Sequence, residues 1–218
     1  MADETRRLMF RFGFRWIDLK EDLAVSSQSI VLPGNTTNFY NLVVGPGSRI
    51  DVNDRFDTRN QYMLLDLGLQ GDWRYRRWLV EWWTKVGLGA VHQDLDIEGN
   101  SQLITTPGAA PNIVQGGLLA LDSNIGHFFS GRFAFVPEGK INISYRMCGC
   151  AYLGMGYSFT YFSRVIRPSE QIDPQLSTTR IPTSANFGFP IGAFRPAVTF
   201  NESDTWIQGV SFNVSFRY

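Results

Sequence analysis

Nine charged residues stand on the polar side of alternating stretches: Arg11 and Arg15, Asp66, Glu81 and Lys85, then Arg132, Glu138, Lys140 and Arg146. Their signs are mixed. In a barrel of about eight strands the interior is just wide enough for side chains to fill it. Charges turned into such a space pair with one another, because an unpaired buried charge is costly. The chemistry they offer is structural ion pairing that plugs a lumen. In a wider barrel the same residues would form a constriction that sets ion selectivity.

Other constellations are weaker. His92 and His127 could assist a hydroxyl nucleophile, but no Gly-x-Ser-x-Gly elbow accompanies them, so no catalytic residue is assigned and the chain is read as a non-enzyme. Asp94, Asp96, Glu98 and Asp122 supply hard oxygen ligands suited to calcium, without the glycine-centred spacing of an EF-hand. Cys148-Gly149-Cys150 could form a local disulfide, hold a metal or remain two free thiols, and four-ligand zinc spacing is missing. No cofactor and no metal is expected.

Strands must position these residues. From Trp206 the alternate residues are Trp206, Gln208, Val210, Phe212, Val214, Phe216 and Tyr218, interleaved with Ile207, Gly209, Ser211, Asn213, Ser215 and Arg217. One face is apolar and aromatic, the other small or polar. The same period runs through Leu8–Leu19, with Phe10, Phe12, Phe14 and Trp16 against the arginines, and through Arg55–Gln70 with Met63, Leu65, Leu67 and Leu69. It returns in Arg77–Gln93 with Trp78, Val80, Trp82, Val86 and Leu88, in Phe129–Met147, and in Ala151–Tyr161. Pro137-Glu138-Gly139 is read as a bulge, because the parity survives it. Gly71-Asp72 is read as the start of a turn reaching Arg76, and Cys148-Gly149-Cys150 as another.

Six strands are therefore visible. Long loops at 20–54, 94–125 and 167–203 follow the first, third and fifth, and short turns follow the second and fourth. Outer-membrane barrels connect their strands this way, with short periplasmic turns and longer extracellular loops. The aromatic residues then sort into two belts of the kind found at membrane interfaces. Trp16, Phe128, Tyr161 and Trp206 fall at the outer rim, and Trp73, Tyr75, Trp78, Tyr145 and Tyr218 at the inner one. A soluble lipocalin-like barrel, the remaining alternative, would turn the aromatic rows inward.

Composition agrees. Lys and Arg number 20 and Asp and Glu 20, so no net basic charge suggests nucleic acid. No apolar run approaches the roughly 18 residues that a membrane helix needs. The first residues, Met1-Ala2-Asp3-Glu4-Thr5-Arg6-Arg7, lack the apolar segment of a signal peptide. Single-chain barrels begin at about eight strands. Either two N-terminal strands are missing or one loop hides a hairpin, and an upstream portion carrying a leader and further strands would account for both observations.

The C-terminal half resembles a known family. Gly156-Tyr157-Ser158-Phe159, the Arg-Pro-x-x-Gln-Ile-Asp run from Arg167 to Asp173, and Trp206-Ile207-Gln208-Gly209 before the closing strand are similar to the BBP7 family, outer-membrane β-barrel proteins of planctomycetes. Ser169 stands where the pattern suggests Gly, and Cys-Gly-Cys replaces a more ordinary polar turn. The resemblance implies architecture and location, without a reaction or substrate. The expectation is a single all-β domain over residues 1–218, an antiparallel up-and-down transmembrane β-barrel in the bacterial outer membrane, with six long strands visible and eight when complete. Its role is structural or surface display, with a narrow porin as the alternative. Its partners are outer-membrane lipid and, through the strand from Thr205 to Tyr218, the barrel-assembly machinery.

Overall fold

A computed structural model describes residues 4–189 and 193–216. Arg217 and Tyr218 lie outside them, so the inner-rim position expected for Tyr218 and the last residues of the closing strand do too. Six long strands are present: β1 (Glu4–Ile30), β4 (Arg49–Tyr75), β5 (Trp78–Ile104), β7 (Gly126–Arg146), β8 (Ala151–Val165) and β9 (Ser203–Phe216). They pair antiparallel in the order β1-β4-β5-β7-β8-β9. The short strands β2 (Thr37–Phe39) and β3 (Leu42–Val44) form a separate hairpin, and β6 (Asn112–Gln115) pairs with the upper part of β5. There is no α-helix among the described residues, only a 3-10 turn at Pro168–Gln171.

The sheet is curled into a half-barrel. Tyr62 on β4 donates its hydroxyl to the Ser163 carbonyl on β8 at 2.9 Å. In a flat sheet those strands would lie about 14 Å apart, three steps of about 4.8 Å. Only strong curvature brings them together.

Register makes each face continuous across the sheet. Phe12 pairs with Leu67, Leu67 with Val86, and on the far side Tyr157 with Val210 and Met155 with Phe212. All of these face the convex side. There Phe10 is 87% exposed and Phe212 78%, a placement that makes sense only if something apolar covers it. From Leu8 to Trp16 the row runs about 27 Å along the strand, enough at a barrel's tilt to cover most of a lipid-facing band about 25 Å tall.

Above one rung the faces exchange character. Trp16, Met63, Ala90 and Phe133 are successive register partners, and just beyond them lie Ile17, Tyr62, Val91 and Arg132. Past that rung the apolar side chains point into the concavity: Tyr62, Phe56, Val91, Leu95 and Ile97 are buried. The convex side becomes charged, with Asp18 accepting two bonds of 2.9 Å from Arg59 and Arg55 gripping Asp57. The strands thus continue well beyond the apolar band, and several sequence readings need correction. The segment expected as a loop at 20–54 is mostly strand, with its connection at 31–48, and much of 94–125 extends β5 and forms β6.

Gly71 and Asp72 are not a turn. They pair within the β4 ladder, and a Cβ on Gly71 would sit 2.8 Å from the Trp82 ring, so this glycine makes room for the indole. The turn is Arg76-Arg77, with Arg76 at φ 56°. No bulge occurs at Pro137, where the β5–β7 register is unbroken. The Phe135 amide points towards β8, donating to Ser163 Oγ at 2.9 Å, so the missing donor of Pro137 also faces that side. The β8 ladder begins only at Glu138, so proline costs no ladder bond there. The irregularity lies instead in β8 between Phe162 and Val165.

Leu153 and Val210 lie on the convex apolar face, and Ser211 faces the concavity beside Gly156. In a lipid bilayer, Val210→Arg is expected to cost about 2–4 kcal/mol near the midplane, Leu153→Arg less because Leu153 is level with Tyr145 of the inner belt, and Ser211→Arg distinctly less than Val210→Arg. Reversible urea unfolding in lipid vesicles measures this. Equal tolerance at all three positions would contradict the assignment of faces.

Candidate functional site

Four strands each contribute one charged side chain to a single point on the concave face. Arg15 (β1) bonds Asp66 (β4) at 2.9 Å and also Glu138 (β7). Lys85 (β5) lies 2.9 Å from Glu138 and 3.4 Å from Asp66. Each cation touches both carboxylates, so the quartet is a closed ring with no net charge. Its side chains are 12–25% exposed, which makes mutual neutralisation the main means of holding them there. Gly87 forms its floor, since a Cβ there would lie 2.8 Å from both Arg15 Nη2 and Asp66 Oδ1.

The quartet separates two environments. On its loop side the concavity is filled by Tyr62, Leu64, Val91, Ala134, Val136 and Phe162. On its turn side Lys85 lies over the Trp83 ring at 5.5 Å, and polar side chains follow. Asn142 donates to Glu81 (3.3 Å) and Ser144 (3.1 Å), and Asn213 donates to Asn142 (3.2 Å). Of the nine charges expected to face a lumen, four form the quartet. Glu81 accepts from Asn142, and Arg132 lies 3.5 Å from Glu202 near the loop end. Arg11, Lys140 and Arg146 remain exposed and outside the ring.

The aromatic residues sort largely by level. Trp73 stacks on Tyr75 with ring centres 6.1 Å apart, and Trp78 meets Tyr145 edge-on at 4.8 Å, all at the turn end. Trp16 and Trp206 are exposed, and Tyr161 contacts Phe135 at 5.5 Å. Phe128 departs from expectation. It packs into the concave cluster around Phe56, Leu95 and Ile166, because it lies in the region where apolar side chains face inward. Its neighbour Phe129 is the exposed one.

A set of buried polar residues carries no obvious sequence signal and anchors the loops. Asn60 exchanges two bonds of 2.9 Å with the backbone of Ile166. Gln93 donates to the Arg164 carbonyl at 2.8 Å, and Asp54 collects the amides of Leu118, Leu119 and Ala120. Within the Arg167–Asp173 run, Arg167 pairs with Glu21, and Gln171 both donates to and accepts from Asn201. Asp173 accepts from the Ala197 amide, Arg195 and the Gln175 amide at 2.8–2.9 Å. Those donors, the Ala197 amide first, hold its carboxyl down at about 2. The motif ties both ends of the third loop together.

Among the described residues the candidate catalytic and metal-ligating side chains lie apart. His92 and His127 lie on the convex face, bonded to Asp94 (3.2 Å) and Asp96 (2.7 Å) respectively. Asp122 is held by Arg180 at 2.7 Å, away from Asp94, Asp96 and Glu98. No group of three or more metal-ligating side chains occurs among the described residues. Cys148 and Cys150 are both free.

An antiparallel half-barrel with an apolar convex band, aromatic residues at its margins and a charged concave face defines a membrane β-barrel protein of the porin-like kind. The chain belongs to the BBP7 family: the family model described as "Putative beta barrel porin-7 (BBP7)" matches residues 1–218. Comparison with curated proteins and with solved structures finds no match.

Two tests address the site. Glu138→Met leaves Arg15 and Lys85 facing one carboxylate and is expected to destabilise the protein by about 3 kcal/mol. Removing Lys85 as well, as Met, should return most of that loss, and a double-mutant unfolding cycle reads the difference. The Asp173 clasp sets a pH dependence. Its folded pKa of about 2 lies below the ordinary 3.8, so its contribution is complete above pH 4 and disappears as pH falls through 2. Pepsin cleavage within 174–202 should therefore rise steeply over that window.

Proposed function

We propose that this protein is an integral barrel of the bacterial outer membrane with a structural and surface-display role, its long loops making the external contacts. The observation that carries this reading is the filled concavity. The neutral quartet and the apolar layer above it occupy the concave face, and the Gln171 and Asp173 clasps secure the third loop. A porin-type family points to a protein without catalytic function, and none is assigned. The aromatic closing strand β9 is the segment suited to engage the barrel-assembly machinery.

Narrow conduction is the second reading, favoured by the polar groove of Asn142, Ser144 and Asn213 on the turn side of the quartet. Planar-bilayer recording of the folded protein separates the two, with heat-modifiable gel mobility as the folding control. The display role predicts insertion without steady conductance. A stable open current whose ion selectivity changes in Glu138→Gln would establish the porin instead.

A further inference from the structure

The turn joining β7 to β8 carries two thiols that the barrel reading does not use. Met147 donates to the Ala151 carbonyl at 2.9 Å, pinching the chain so that Cys148-Gly149-Cys150 forms the tip. Cys148 is exposed and Cys150 partly so, and neither is oxidised. The neighbouring turn is Arg76-Arg77, and the Arg146 amide bonds the Arg77 carbonyl at 2.8 Å, so the two turns lie side by side.

We propose that Cys148 and Cys150 form a dithiol site that reacts by thiol–disulfide exchange with disulfide-bonded substrates. Cys148 is the attacking group and Cys150 the resolving one. The Cys148 thiolate attacks one sulfur of the incoming disulfide, whose S–S bond breaks and whose other half leaves as a thiolate and takes up a proton. Cys150 then loses its proton and attacks Cys148, closing an internal disulfide and releasing the second thiol. The protein gives up two electrons and two protons, and the substrate disulfide gains both. Three features favour this division of labour. Hydrogen bonding from the backbone of Cys150, then of Ala151, favours negative charge on Cys148 and draws its thiol below the ordinary range. Cys148 is the more exposed of the two thiols, which suits it to meet an incoming disulfide first. A one-residue spacer keeps the resolving thiol within reach.

The test uses the folded full-length protein in detergent with glutathione disulfide as probe, followed by intact mass. The wild type should lose two hydrogens and retain no glutathione. Cys150→Ser should trap one glutathione on Cys148, and Cys148→Ser should react about tenfold more slowly or less. A wild type that retains glutathione, fails to react, or reacts no faster than Cys148→Ser would overturn the proposal. Conductance plays no part in this readout, so it stands or falls separately from the display role.

Discussion

A strand that meets lipid on one side and its own concavity on the other has no freedom of register. Sliding it by one residue would carry every apolar side chain inward and every polar one into hydrocarbon. The backbone adds a second demand, because no water reaches the membrane interior to satisfy an amide left out of the ladder. These two requirements fix the partners of Phe12, Leu67, Val86, Met155 and Phe212, and with them the level at which Arg15, Asp66, Lys85 and Glu138 meet. The quartet is a consequence of register. Its members lie on four different strands, and only the paired alignment brings their charges to one place.

The rung through Trp16, Met63, Ala90 and Phe133 marks where the surrounding medium changes. Below it the half-barrel has its apolar side outward, and above it the same strands behave as an ordinary water-soluble sheet with a buried apolar core. The two regimes are joined without a break in the ladder. Tyr62 stands at the junction, packing against Phe162 while its hydroxyl fastens the irregular end of β8. The filling of the concavity is thus an aqueous-type core placed directly on top of an ion-pair ring.

Much of this was legible in the sequence because period-two alternation is a local signal. Leu8 to Trp16, Met63 to Leu69 and Trp206 to Phe216 announced their strands and faces, and the alternation of long and short links gave the topology. The strands ran further than expected because the rule for sorting residues between faces reverses at the rung. A reader following outward apolar residues loses the trail at Asp18, Arg59 and Asp94, although the backbone continues extended. Phe128 turns inward for that reason, and Gly71 looks like a turn in the sequence because its true reason, the Trp82 ring, belongs to a different strand. Arg15, Asp66, Lys85 and Glu138 could be nominated by parity but not matched to one another. Asn60, Gln93 and Asp54 remained silent, since their partners are backbone atoms far along the chain. The Arg167–Asp173 run was noticed through resemblance, and its mechanical meaning emerged only from the bonds to Asn201, Arg195 and Ala197.

The length of β4 and β5 beyond the rung sets a distance. From Tyr62 back to Arg49 the chain covers about 45 Å of strand, or roughly 30 Å of height at a 45° tilt. The β2–β3 hairpin, whose Phe39 is buried with Val44, Ile50 and Leu103, is carried at the top of that extension as a packed unit. The protein is therefore a pedestal as much as a barrel. A molecule approaching the bilayer from this side meets folded polypeptide about three nanometres before it meets lipid.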